Sequence, residues 1–159
     1  MIGLFIQQYN YMDLNLRRSI ETFAHAKLLQ GEAAKRYPKI HSSIVASAVQ
    51  EAVQAMDPGI ENIPVAIQNL NIIERRREIQ NLLGHWAARR IPNEDAIVLL
   101  SKDETDALRA GGYYLASGHI KSAIMDLPDI RRIIIGELIS LELWLAQKTS
   151  EWRKRYVGD

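Results

Sequence analysis

The sequence predicts an all-α four-helix bundle with a small β-hairpin-like insertion between its third and fourth helices. In four stretches apolar residues recur at spacings of three and four, which is typical of helices that bury one side. Between the third and fourth stretches, at about 95–125, the period changes and residues typical of strands and turns appear. Helices in this order, with one longer connection, are typical of bundles.

The first two helices are predicted at about 3–30 and 40–56. Gly31 is expected to end the first, and Asp57-Pro58-Gly59 the second. The apolar stripe of the first helix consists of Phe5, Tyr9, Met12, Leu16, Ile20 and Phe23. The second helix carries Ile44, Val45, Ala48, Ala52 and Met56 on one side.

The third helix is predicted from Pro64 to just before Ile91-Pro92, and the fourth from Asp126 to about Tyr156. In the third, a seven-residue repeat is formed by Val65, Ile72, Ile79 and Trp86, with Leu82 and Leu83 on the same side. The stripe of the fourth comprises Ile130, Ile134, Leu138, Leu141, Leu145 and Trp152. We expect Trp86, Trp144 and Trp152 to be largely buried or at a subunit interface.

The insertion contains two strand-like segments. Residues 96–100 are a short apolar run, and Gly111-Gly112 precedes a second segment at 113–115. These features predict a hairpin or an irregular arm. One more short helix at 103–110 is an alternative that the length allows.

Length and composition predict a single domain over 1–159 that needs no cofactor. A chain of 159 residues buries about 70% of its unfolded surface, so no metal or disulfide is required for stability. The absence of cysteine excludes thiolate zinc sites, iron–sulfur clusters and cysteine nucleophiles, and the histidines outside the third helix (His25, His41 and His119) have no helical metal-ligand spacing. We expect no metal. Because the N-terminal residues lack a signal peptide pattern and no apolar run is long enough to span a bilayer, we expect a cytoplasmic protein without membrane contact.

The third helix carries the residues that are best suited to catalysis. Arg77, Asn81, His85 and Arg89 follow one another at i,i+4 spacing, which places them on one side of a helix. Histidine is the usual general acid or base near neutral pH, Asn81 is positioned to orient its ring, and an arginine stabilises a phosphate. RNA cleavage by the neighbouring 2′-hydroxyl needs little more. The structural alternative is a His85 that is exposed or donates to a buried carbonyl.

Residues 81–85, Asn-Leu-Leu-Gly-His, late in a bundle helix, resemble the R-N-x-x-x-H motif of the HEPN superfamily. The order of elements, with a long terminal helix after an insertion, also resembles that superfamily. The resemblance implies an α-helical, commonly dimeric protein. It further implies metal-independent RNA cleavage or RNA binding in a toxin–antitoxin or phage-defence setting. His85 then matches the motif histidine, and Asn81 the polar residue that follows the arginine.

The sequence departs from the motif at the arginine, because Gln80 occupies that position. Arg77 lies eight residues before His85, so seven residues separate them, one more than the superfamily's usual maximum. Arg77 or Arg76 is a candidate to replace the motif arginine, particularly if two copies of the helix pair and each arginine reaches the histidine of the other copy. A non-catalytic helical interaction module, antitoxin-like or a degenerate HEPN-like protein, is equally consistent with Gln80.

The distribution of charge along the sequence is the best reason to test whether the protein binds RNA. The formal net charge is only +1, yet residues 74–90 contain five arginines and two glutamates, whereas residues 93–109 contain five acids and two bases. A basic helix attracts a phosphate backbone, so Arg76, Arg89 and Arg90 are predicted to bind nucleic acid. The acidic insertion is an alternative partner for the same basic residues. We expect a homodimer, with RNA and a cognate antitoxin or other partner protein as further candidate partners.

Overall fold

The computed structural model describes the backbone of residues 1–85, 87–101, 113–117 and 120–158, and the side chains of 1–84, 89–99 and 125–158. Most described residues are helical, and the rest include a small antiparallel sheet. The helices are α1 (Ile2–His25), α2 (Gly31–Arg36), α3 (Val45–Gln54), α4 (Ile63–His85), α5 (Leu127–Ile133) and α6 (Ile139–Tyr156). The strands are β1 (Ala87–Arg90), β2 (Ala96–Ser101), β3 (Tyr113–Ser117) and β4 (Ile120–Asp126).

The chain divides into two compact units, each built from separate stretches of sequence. Unit 1 contains residues 1–9 and 75–139, and unit 2 contains residues 10–74 and 140–159. The sheet, α5 and the C-terminal part of α4 therefore belong to unit 1. Unit 2 contains α2, α3, the first part of α4 and nearly all of α6.

The apolar stripe predicted for α1 is confirmed, but the helix ends five residues earlier than predicted. All of its members are buried: Phe5, Tyr9, Met12, Leu16, Ile20 and Phe23. The helix stops at His25 because Lys27 adopts a left-handed conformation with φ of 59°. The Leu28 amide then donates to the Phe23 carbonyl at 2.8 Å, and the Lys27 amide donates to the Ala24 carbonyl at 3.1 Å. This is the Schellman arrangement, with lysine where glycine is usual.

Replacing Lys27 with glycine is expected to stabilise the protein by about 0.5 to 1 kcal/mol, because glycine adopts a positive φ without a steric cost. The measurement is urea denaturation followed by far-UV circular dichroism. Gly31→Ala is the reciprocal control, since Gly31 also has a positive φ, of 50°, and should lose stability on gaining a Cβ. A Lys27→Gly variant less stable than the parent would contradict the assignment of strain to Lys27.

The second predicted helix is shorter than expected and is preceded by a helix that was not predicted. The helix predicted at 40–56 is α3, Val45–Gln54, with a 3-10 turn at Ser42–Ile44 before it. Four members of its predicted apolar side are buried, namely Val45, Ala48, Ala52 and Met56. The six residues of α2 bury only Ala33, so they carry too little periodicity to be recognised in the sequence.

The third predicted helix ends at His85, and its buried side agrees with the prediction at Leu82 and Leu83 but differs from it in the first half. The buried residues of its first half are Ala66, Leu70 and Ile73, at spacings of four and three. Val65, from the predicted heptad, is 44% exposed, and Ile72 and Ile79 are half-buried. A strict seven-residue repeat drifts around a straight helix, so it does not define one buried side. Trp86, the last member of that repeat, lies outside the described residues.

Residues 87–90, predicted as the end of the third helix, form strand β1 instead. The described strands have the order β1-β2-β4-β3, and every pair is antiparallel. The turn from β1 to β2 contains Pro92 and Asn93, the latter with φ of 62°, and the Glu94 amide donates to the Ile91 carbonyl at 3.3 Å. Proline followed by a left-handed asparagine is typical of a type II turn. The predicted insertion at 95–125 is therefore the larger part of a sheet that starts earlier, and the alternative helix at 103–110 lies outside the described residues.

The last predicted helix is confirmed in position and in its buried stripe. Asp126 precedes α5, and Pro128 occupies its first turn. A π-helical turn, Ile134–Leu138, links α5 to α6. Every residue of the predicted stripe is buried: Ile130, Ile134, Leu138, Leu141, Leu145 and Trp152. Trp144 is half-buried.

Candidate functional site

The predicted site lies in unit 1, where α4 ends and the sheet begins. Arg77, Asn81 and His85 all belong to α4, so they occupy successive turns on one side of it. Asn81 is exposed and Arg77 is half-buried. His85 is the last residue of the helix, and its side chain lies outside the described residues. The helix thus retains three positions of the predicted row.

Arg89 does not continue that row, and this part of the prediction is wrong. Arg89 and Arg90 lie on β1, opposite Val98 and Ile97 of β2. The helix had already ended at His85, and residues 87–90 form backbone hydrogen bonds with β2 instead of with the preceding helical turn. Successive residues of a strand point to opposite faces, so the two arginines project in different directions. Both are exposed.

Arg76 is held in an ion pair with Glu137 of the π-helical turn. Its Nε lies 2.6 Å from Glu137 Oε2, and its Nη2 lies 2.8 Å from Oε1. The side chains are only 22% and 29% exposed. A bidentate, partly buried pair is stronger than a surface ion pair. The fork of the Arg76 guanidinium therefore binds a carboxylate of the same chain, and Arg76 links α4 to the π-helical turn.

Glu137 was absent from the sequence-based site. It lies 61 residues from Arg76, so no local spacing relates the two residues. The only signal in the sequence was its acidic character within an apolar stretch. Gln80, which replaces the motif arginine, is half-buried and carries no charge.

The free positive charge of this region is provided by other arginines. Arg75, Arg89 and Arg90 are exposed, and none of them has an ion-pair partner within the part of the chain that the structure describes. The described residues also contain no group of three or more histidine, cysteine or carboxylate side chains close enough to hold a metal ion. The arrangement can therefore attract an anion through arginine, and it includes the exposed amide of Asn81 on the same helix as Arg75.

No helix within the described ranges has both the length and the apolar composition needed to cross a bilayer. Nor does any protein family, curated protein or solved structure match this chain significantly. The chain's own residues, above all the row along α4 and the two arginines of β1, are therefore the basis for a functional assignment.

Proposed function

We propose that this chain is a HEPN-like, homodimeric four-helix-bundle protein that binds RNA and cleaves it without a metal ion. The proposal depends on one observation. Arg77, Asn81 and His85 occupy successive turns at the end of α4, and the strand that follows directly carries two exposed arginines. This order brings a titratable group, a polar amide and positive charge to one end of one unit. A toxin–antitoxin or phage-defence role, with a cognate partner protein, belongs to the same proposal.

The proposed chemistry requires proton transfer and charge stabilisation alone. His85 accepts the proton of the RNA 2′-hydroxyl as that oxygen attacks the adjacent phosphorus. The bond to the 5′-oxygen breaks, and the imidazolium returns a proton to this leaving oxygen, which yields a 2′,3′-cyclic phosphate. Asn81, one turn before His85, orients the imidazole, and Arg77 stabilises the charge on the phosphorane. Arg76 is assigned no part in this step because its guanidinium is bound to Glu137.

The arginines of β1 are proposed to hold the RNA backbone. Arg89→Gln combined with Arg90→Gln is expected to weaken binding of a single-stranded RNA about tenfold, and to reduce the slope of log K against log salt by about 1.4, or about 0.7 for each lost phosphate contact. The matched control is Lys154→Gln with Arg155→Gln, which removes the same charge from exposed positions of α6. Fluorescence anisotropy at several salt concentrations measures both quantities. Equal losses in the two double variants would contradict a specific role for β1.

Cleavage is tested separately with 5′-labelled RNA in excess EDTA. We expect a cyclic-phosphate product from the parent protein and a rate at least about a hundredfold lower in His85→Ala, since general acid–base catalysis contributes this much or more. Asn81→Ala should lower the rate without abolishing RNA binding. An undiminished rate in His85→Ala, or no cleavage by the parent, would rule out the catalytic part of the proposal.

A non-catalytic interaction module is the second candidate, and exposed apolar side chains in unit 1 favour it. Ile135 is 65% exposed and Ile139 is 39% exposed, one helical turn apart. Exposed isoleucines at this spacing suit contact with a second copy or a partner protein. If Ile135→Asp dissociates the protein in sedimentation experiments and the parent protein neither binds nor cleaves RNA, this second candidate is the correct one.

A further inference from the structure

Unit 2 contains a polar cleft that is separate from the residues proposed to act on RNA. It lies between α1 and α6 and has a volume of about 570 Å³, which is within the range of small-molecule sites. Its lining consists of Asn15, Arg18, Glu21, Thr22, His25, Ala146, Thr149, Ser150, Arg153 and Val157. His25, which has no metal-ligand spacing in the sequence, lines this cleft because two helices distant in sequence lie side by side.

The cleft carries excess positive charge. Arg18 enters from α1 and Arg153 from α6, and both are exposed. Neither has an ion-pair partner among the described residues, whereas the neighbouring Arg17 is paired with Asp13 at 3.0 Å. Glu21 is the one carboxylate in the described lining. Two guanidinium groups on opposite walls can bind one phosphate through charge-assisted hydrogen bonds.

Hydrogen bonds between α1 and α6 fix the floor of the cleft. The hydroxyls of Ser19 and Thr149 lie 3.0 Å apart, and each donates to the Asn15 carbonyl, at 2.9 and 3.3 Å respectively. Ser19 is fully buried. The walls that carry Arg18 and Arg153 are therefore held together before a ligand binds, which lowers the cost of ordering the site.

The Asn15 side chain provides a second kind of binding group. Asn15 is only 9% exposed and lines the cleft. A side-chain amide can both donate hydrogen bonds to hydroxyl groups and accept them. The hydroxyl of Ser150 also lines the cleft. These groups suit a ligand that carries hydroxyls.

We propose that this cleft binds a phosphorylated polyol such as a sugar phosphate. The phosphate lies between Arg18 and Arg153, and the hydroxylated body contacts Asn15. A bare phosphate would leave most of the cleft of about 570 Å³ unfilled. The described lining contains no phenylalanine, tyrosine or tryptophan, the larger aromatic side chains on which a base stacks, so a nucleotide is the poorer fit.

The test is isothermal titration calorimetry with glucose 6-phosphate, inorganic phosphate, glucose and adenosine 5′-monophosphate. Glucose 6-phosphate should bind most tightly, phosphate more weakly, and glucose not measurably. Arg18→Gln and Arg153→Gln should each weaken binding of glucose 6-phosphate about tenfold or more, the loss of one charge-assisted contact. Arg155→Gln, an exposed charge on the same helix outside the cleft, is the matched control and should bind as the parent does.

A further variant examines the polyol part. Asn15→Leu should weaken glucose 6-phosphate binding while leaving the affinity for inorganic phosphate within about twofold, because only the polyol contacts the amide. Binding that is equal in the Arg18, Arg153 and Arg155 variants, no binding of any phosphorylated probe, or tighter binding of adenosine 5′-monophosphate would overturn the proposal. RNA binding is expected to survive Arg18→Gln and Arg153→Gln, so failure here is distinguishable from failure of the RNA proposal.

Discussion

Replacing Trp152 with alanine is expected to lower the free energy of unfolding by about 4 kcal/mol. Trp152 is completely buried in unit 2. Its ring centroid lies 5.1 Å from that of Phe23, and its Nε1 donates to Glu61 Oε2 at 2.9 Å. Alanine would leave a large cavity beside Phe23 and would remove a hydrogen-bond donor from a buried carboxylate, so two costs add.

Urea denaturation followed by far-UV circular dichroism measures this loss without relying on tryptophan fluorescence. Trp144→Ala, a half-buried tryptophan of the same helix, is the control and should cost about half as much or less. Trp152→Phe should fall between the two, because it keeps most of the apolar volume but removes the donor. A loss in Trp152→Ala no larger than in Trp144→Ala would contradict the central position of Trp152 in this core.

Replacing Lys148 with methionine should cost about 3 kcal/mol, because it would leave a buried carboxylate without its cation. The Glu61 side chain is 1% exposed, and Lys148 Nζ lies 3.0 Å from its Oε1. A second carboxylate, Glu151, lies 3.2 Å from the same Nζ. Lys154→Met, on an exposed part of α6, is the control and should change stability by less than about 0.5 kcal/mol. Equal effects of the two substitutions would contradict the prediction.

The same cluster makes stability depend on pH at both extremes. Burial lowers the pKa of Lys148, but the contacts with Glu61 and Glu151 outweigh it, so this pKa lies above its ordinary value of 10.5. The stability that Lys148 contributes is therefore complete below about pH 10 and is lost as the pH rises through the folded-state pKa. Above that range the parent and Lys148→Met should converge in urea midpoint.

Glu151 acts in the acidic range. The hydrogen bond from Gln147, opposed by burial and assisted by Lys148, holds the pKa of Glu151 below its ordinary value of 4.5. Its contribution is present above that value and is lost as the pH falls through the lower folded-state pKa. The urea midpoint should therefore decrease more on acidification in the parent protein than in Glu151→Gln.

Periodicity predicted the buried sides of α1 and of the helix after Asp126 correctly because both stripes are long and follow the helical period. The boundary of α4 could not be predicted in this way. Residues 87–90 consist of alanine and arginine, which are good helix formers. They form a strand because backbone pairing with 97–100 is available, and that pairing is a non-local property.

The candidate site was predictable only as far as α4 extends. The spacing of Arg77, Asn81 and His85 is local, so the helix preserves it. The pairing of Arg76 with Glu137, and the presence of Arg18 and Arg153 in one cleft, depend on segments that are distant in sequence. No spacing rule within one helix reveals such contacts.

The position of Arg89 and Arg90 at the edge of the described sheet has a consequence for solubility. β1 pairs only with β2 in the described strand order, so its outer side presents backbone groups that another chain's strand is able to pair with. Charged side chains on edge strands oppose such pairing through repulsion and hydration. We therefore expect the two arginines to oppose growth of the sheet by strand addition between molecules. Any variant that neutralises them must be checked for aggregation before a loss of RNA affinity is interpreted.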